Sequence, residues 1–164
     1  MSTDAIVLLK EDHKELKRVF REFEGAEDAA ERGRLVARMA ELLTVHTYIE
    51  NECMYPEVRK LLPDLESDIL ESYEEHHVAD LLVEELGALD PSDEHFEPKT
   101  TVLIESVEHH IQEEEDAWFP KVREGLSRTQ LQEIGARMLE LEKDAPRSPQ
   151  DARARKTQQH AVTA

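Results

Sequence analysis

Two histidine–glutamate pairs stand in the same register of this chain. HTYIENECMYP begins at His46 and HIQEEEDAWFP begins at His110, 64 positions later; both place glutamate four residues on, an aromatic nine on and proline ten on. On a helix, residues four apart share a face, about 6 Å apart along the axis. His46 and Glu50 therefore point one way together, as do His110 and Glu114. An imidazole and a carboxylate so placed can hold a metal ion, and two pairs on facing helices supply four ligands whose glutamates can bridge two ions. Upstream of each pair lies an acid–histidine step: EDH ends at His13 and EEH ends at His76, 63 positions later. These two histidines would complete a set of six.

Each histidine interrupts an apolar stripe. His46 follows Met39 and Leu43, and His110 follows Leu103 and Val107, at the same offsets. His13 lies among Ile6, Leu16, Val19 and Phe20, and His76 among Ile69, Ala79, Leu82 and Val83. Burying one unpaired polar group costs roughly 1–3 kcal/mol, so six along one seam call for a shared partner, which a metal supplies. One HxxxE alone says little in a glutamate-rich helix; two in register, each ending in an aromatic–proline pair, are specific. Two registers stay open. EHH offers His77 beside His76, and HH offers His109 with Glu113 beside His110 with Glu114; the apolar offsets favour His76 and His110.

The elements that must carry these residues are helices. Ala, Leu, Glu, Arg and Lys dominate, only 5 glycines occur, and 35% of residues are charged, so an all-α chain is expected. Helix one starts after Ser2, Thr3 or Asp4 and fades near Gly25. Helix two runs from about Asp28 to Leu62, with Pro56 kinking or interrupting it. Helix three spans about Asp64 to Leu89, a loop covers Asp90–Lys99, and helix four reaches from about Pro98 to Gly125 with Pro120 inside. The 63–64 residue offset makes helices one and two the counterpart of helices three and four, two hairpins rather than a solenoid. Ser127 and Gln130 form a capping box for a further helix. Beyond Ala145 the chain lacks large apolar residues and is expected to be disordered. The expected division is thus 1–126 for the bundle, 127–144 for the added helix and 145–164 for the tail.

The pattern H…HxxxE…H…HxxxE, with YP or FP after each HxxxE, resembles the hemerythrin-like HHE cation-binding family over about Ala5 to Val122. The resemblance implies an antiparallel up-down four-helix bundle with an oxo- or hydroxo-bridged di-iron centre. Its ligands would be His13, His46, Glu50, His76, His110 and Glu114, with the two glutamates bridging. It further implies a small-molecule ligand such as oxygen, peroxide or nitric oxide, with catalase-like turnover as one outcome. Iron storage, reversible oxygen binding without turnover, and a structural partner-binding bundle are the alternatives. The chain departs from the oxygen carriers of this type in lacking a histidine four residues from His76, where Ser72 and Asp80 stand. Water, Tyr73, Asp80 or an open position would take that place.

Composition narrows the remaining classes. With 38 acidic against 20 basic residues, the net charge of −18 repels nucleic acid and anionic membranes. The stretch after Asp144 carries a net +3, leaving −21 on the body. The single Cys53 allows neither an internal disulfide nor a cysteine-based zinc finger. It reads as a core filler. Met54 and Trp118 occupy equivalent places one turn beyond the glutamates and read as core packing or a wall of the pocket. His95 and His160 fall in loop and tail. Ile6–Leu9 is too short for a signal-peptide core, and a cytoplasmic protein is expected.

Overall fold

The computed structural model describes residues 2–163, apart from the side chains of positions 159, 160, 162 and 163. Helix α1 covers Ala5–Glu24 and α2 covers Ala29–Ile49, running into a wide π-helical turn at Glu50–Met54 and then α3, Tyr55–Leu61. A short 3₁₀ turn, Pro63–Leu65, leads to α4, Glu66–Gly87. The second hairpin repeats the design, with α5 at Phe96–Glu113, a wide turn at Glu114–Trp118 and α6 at Phe119–Gly125. Helices α7, Arg128–Glu142, and α8, Pro149–Thr163, follow. Around the bundle, α1 neighbours α2 and α5, and α4 neighbours the same two.

Local chemistry sets the helix starts. The Asp4 carboxylate accepts from the backbone N–H groups of Ile6 (2.9 Å) and Val7 (3.1 Å), and Arg123 of α6 donates to it at 3.0 Å. The capping box before α7 forms as the sequence predicts: Gln130 N–H donates to Ser127 Oγ at 3.1 Å, and Ser127 N–H to Gln130 Oε1 at 2.8 Å. Proline does not break the long helices. Instead, each carries a wide turn directly before its proline, with Tyr55 N–H bonded to Glu50 O and Phe119 N–H to Glu114 O, five residues back. The widened turn eases the clash a proline ring makes with the carbonyl four residues earlier.

Two apolar clusters fill the interior. Ile6, Leu9, Ile49, Met54, Val58, Ile69, Phe119 and Val122 pack at one end together with Leu131, Ile134 and Met138 of α7. Leu16, Phe20, Phe23, Met39, Leu43, Leu86, Leu103 and Val107 fill the other. The histidines interrupt the stripes where these clusters meet, so the polar residues form a layer closed above and below by hydrocarbon.

The tail departs from expectation. It was expected to be disordered from Ala145; the chain instead forms α8 from Pro149, started by Ser148, whose Oγ accepts from Asp151 N–H at 3.2 Å. Charge supplies what apolar burial cannot. Arg147 reaches Glu41, Arg153 pairs with Glu84, and Lys156 lies 3.8 Å from Glu52. A basic helix thus lies on the acidic outside of α2 and α4, a partner invisible to any local reading of the tail. Among the described residues, no helix is long and apolar enough to cross a membrane.

Candidate metal centre

The six predicted residues come together. His13 comes from α1, His46 from α2, His76 from α4 and His110 from α5, while Glu50 and Glu114 open the two wide turns. None is more than 7% exposed. By contrast His109 is 67% exposed and pairs with Glu113 at the surface, and His77 and His95 are exposed as well.

Two groups emerge within this layer. Ligating atoms of His13, His46 and Glu114 lie within 4.8 Å of one another, and so do those of Glu50, His76 and His110. Each glutamate belongs to the group of the opposite hairpin, yet stays close to its own histidine: His46 Nε2 is 2.6 Å from Glu50 Oε1, and His110 Nε2 is 3.3 Å from Glu114 Oε1. Both carboxylates therefore span the two groups. Apart from these close approaches to one another, five inward atoms find no hydrogen-bond partner: His13 Nε2, His46 Nε2, both oxygens of Glu50, and Glu114 Oε1. Orphaned buried donors and acceptors are uncommon and costly, and here they converge on one spot.

The outward nitrogens are all engaged. His46 Nδ1 meets Asp12 at 3.0 Å, His76 Nδ1 meets Asn51 at 2.8 Å, His110 Nδ1 meets Glu75 at 3.1 Å, and His13 Nδ1 meets Glu115 at 2.8 Å. Every one of these supports is the chain neighbour of one inward residue and holds the histidine of the next helix around. Such outer partners fix the ring orientation and leave Nε2 free to face a metal. The acids of EDH and EEH were visible in the sequence, but each serves the adjacent helix rather than its own histidine.

Tyr55 is the residue the sequence reading missed. Its hydroxyl donates to Glu114 Oε2 at 2.9 Å and lies 3.3 Å from His76 Nε2 and 3.4 Å from His110 Nε2. The alternatives named for the absent histidine lie elsewhere. Tyr73 packs edge-on against Tyr55, and Asp80 lines a small cavity beneath α8. Phe119, the counterpart of Tyr55, stacks on His13 but brings no hydroxyl, so the two groups differ by one oxygen.

Charge follows from burial and crowding. Burial alone would depress the imidazole of His110, but Glu114, Glu75 and Glu50 outweigh it and lift its pKa to about 10. Burial likewise opposes a charge on His46, yet Glu50 and Asp12 hold it well above the usual range. Burial and the neighbouring His110 hold His76 well below that range. Burial together with Glu114 pushes Glu50 up, whereas Glu114, despite burial, is held well below the ordinary carboxylate range by His110 and His13. Protons thus stand in for the positive charge this cluster of carboxylates and imidazoles demands.

The model of the hemerythrin HHE cation binding domain matches residues 4–122. The chain belongs to that family. The HHE architecture also appears in a crystal structure of an HHE cation binding domain-containing protein from Mycobacterium kansasii, which superposes with a TM-score of 0.73 at 24% identity over 86% of each chain. A curated relative, named as a DNA nickase of Nostoc sp. (strain PCC 7120 / SAG 25.82 / UTEX 2576), is 28% identical over 126 residues. That match takes in 77% of this chain, which spans only 35% of the Nostoc protein. As in other members of the family, the histidine and glutamate groups of this HHE domain are suited to a cation.

Proposed function

We propose that this HHE domain holds two iron ions and reacts with a small oxidant, with peroxide, oxygen or nitric oxide as the chemical class. The observation that carries the reading is the pair of three-residue groups sharing two buried glutamates, with five of their polar atoms unpartnered. His13 and His46 would hold one ion, His76 and His110 the other, and Glu50 and Glu114 would bridge. Imidazole with carboxylate suits iron, and an iron pair supplies redox chemistry to a bound oxidant.

The chain's own residues do the rest. The two apolar clusters exclude water on either side of the layer. Asp12, Asn51, Glu75 and Glu115 orient the four rings. Tyr55 places a hydroxyl beside His76 and His110, making that position the richer in oxygen and able to steady the group there or hold a proton near Glu114. A closed polar layer of this kind favours a small ligand over a polymer. The nickase name of the Nostoc relative does not carry over, because a charge of −18 repels a phosphate backbone. A cytoplasmic setting fits this reading.

Metal analysis and an ultraviolet–visible spectrum, taken before and after peroxide, test it. Two irons per chain with bridged-iron bands that change as peroxide is consumed are expected. Two irons silent toward peroxide would move the reading to storage or oxygen binding, and a lone zinc would overturn the iron assignment. The double substitution Glu50→Ala with Glu114→Ala should lower both metal content and melting temperature, since metal bound only to the native state adds to stability. An unchanged metal count would refute the ligand set.

A further inference from the structure

Of the aromatic side chains that give up single electrons, this chain has 3 tyrosines and 1 tryptophan. Tyr55, Tyr73 and Trp118 stand together on one side of the centre, while Tyr48 lines the small cavity beneath α8. Tyr55 is fully buried, and its ring lies edge-on to both neighbours, centroids 5.5 Å from Tyr73 and 5.3 Å from Trp118. Rings so spaced are in direct contact. At the inner end, the Tyr55 hydroxyl donates to Glu114 Oε2 at 2.9 Å. At the outer end, Tyr73 of α4 is half-buried and reaches solvent. The other half of the bundle has no such chain of rings. Phe119, Met54 and Lys10 hold there the places of Tyr55, Trp118 and Tyr73.

We propose that Tyr55 and Tyr73 form a one-electron relay between the buried centre and the surface, through which an external phenol-type reductant supplies electrons. This rests on the redox reading of the centre. The six inward residues are at most 7% exposed, so a donor at the surface needs a path for its electrons. Tyr55 gives an electron to the oxidised centre and its hydroxyl proton to Glu114 Oε2. An electron from Tyr73 then refills Tyr55, which recovers that proton, while the proton of Tyr73 passes to solvent. The external donor restores Tyr73 with one electron and one proton. Peroxide takes up two electrons and two protons and leaves as two waters, so two donors are each oxidised by one electron per peroxide. A net charge of −18 favours an uncharged phenol over an anionic donor. Trp118 makes a poor exit. It is only 6% exposed, and its Nε1, a donor only, has no acceptor among the described residues, so an electron lost there strands its proton.

Spin trapping tests the relay. Metal-filled protein is treated with peroxide and a nitrone trap, and the adducts are placed by peptide mapping. An adduct on Tyr73 and none on Tyr48 is expected, together with peroxide-dependent oxidation of hydroquinone. Tyr73→Phe keeps the ring beside Tyr55 but removes the outlet; hydroquinone oxidation should be lost while the absorption bands of the centre still respond to peroxide. Tyr55→Phe breaks the relay one step earlier and should clear the adduct from an intact Tyr73. Four results would overturn the relay: no adduct on Tyr73, equal adducts on Tyr48, an adduct that survives Tyr55→Phe, or hydroquinone oxidation undiminished in Tyr73→Phe. Bands that ignore peroxide in the parent would overturn the redox reading itself, and the relay with it.

Discussion

Tyr55 shows how much a single hydroxyl can carry. Phe119 fills the equivalent place with the same ring and no oxygen, so Tyr55→Phe makes the two halves of the centre alike. The expected outcome is an unchanged metal count, a shifted absorption spectrum, and a loss of about 1–2 kcal/mol from the severed bond to Glu114, read by metal analysis, spectroscopy and thermal melting. Loss of a metal ion from this variant would make the phenol indispensable to holding it. The histidines give a second prediction. A His110 raised to about 10, against roughly 6.5 in an unfolded chain, contributes stability to the metal-free protein that is complete below pH about 6.5 and is lost as pH rises through about 10. Metal-free protein should therefore melt lower at pH 10 than at pH 7, and metal uptake at neutral pH should release protons. Calorimetric titration in buffers of different ionisation enthalpy measures that release, and its absence would contradict the charge state assigned to His46 and His110. The six inward residues were legible in the sequence because helical spacing puts each histidine–glutamate pair on one face, the apolar stripes choose between adjacent histidines, and the family resemblance joins them into one set. Tyr55 was not, because five residues past Glu50 in a regular helix lies roughly 140° away around the axis.

The wide turns resolve that discrepancy at the level of the element. With hydrogen bonds closing over five residues instead of four, the fifth residue comes back nearly over the first, which carries Tyr55 toward Glu50's face and Phe119 toward Glu114's. The sequence marks both places with a proline, but proline by itself reads as a kink; only a structure distinguishes a kink from a widened turn. The straight portions were legible from apolar periodicity, and the start of α7 from its capping box. Closeness of α7 to the start of α1 was not. At Gly135 a Cβ atom would stand 1.6 Å from the carbonyl oxygen of Thr3, so a methyl group there must push the helices apart. Gly135→Ala should cost about 1–3 kcal/mol or more, with α1 and its His13 displaced, as read by melting temperature and metal content together. A variant as stable as the parent would show that α7 rests on α1 less tightly than described.

Across the whole molecule, charge divides into a strongly acidic body and a basic end segment laid upon it. The ion pairs of α8 are exposed, and exposed pairs are worth about 0–1 kcal/mol each and weaken with salt. A chain ending at Ala145 should keep its metal content and melt within about 1–2 kcal/mol of the full chain, whereas added salt should reduce the helical signal of the full chain by the contribution of α8. Loss of metal on truncation would give α8 a part in the centre. This segment was illegible in the sequence for a definite reason: its helix depends on Glu41, Glu52 and Glu84, which lie far from it along the chain.

The crossed glutamates have a consequence for how such a molecule can come into being. A single hairpin of this type owns two histidines and one carboxylate, but its carboxylate is aimed at the other hairpin's histidines, and half of its ring supports come from outside. One hairpin alone has no complete site to offer. Two identical copies facing each other across a twofold axis would regenerate all six inward residues and all four supports, with a tyrosine or a phenylalanine on both sides. The present chain holds in one polypeptide what such a pair would have to assemble, and because its two halves are separate stretches of sequence they need not match: one side carries the hydroxyl of Tyr55 and the other the bare ring of Phe119.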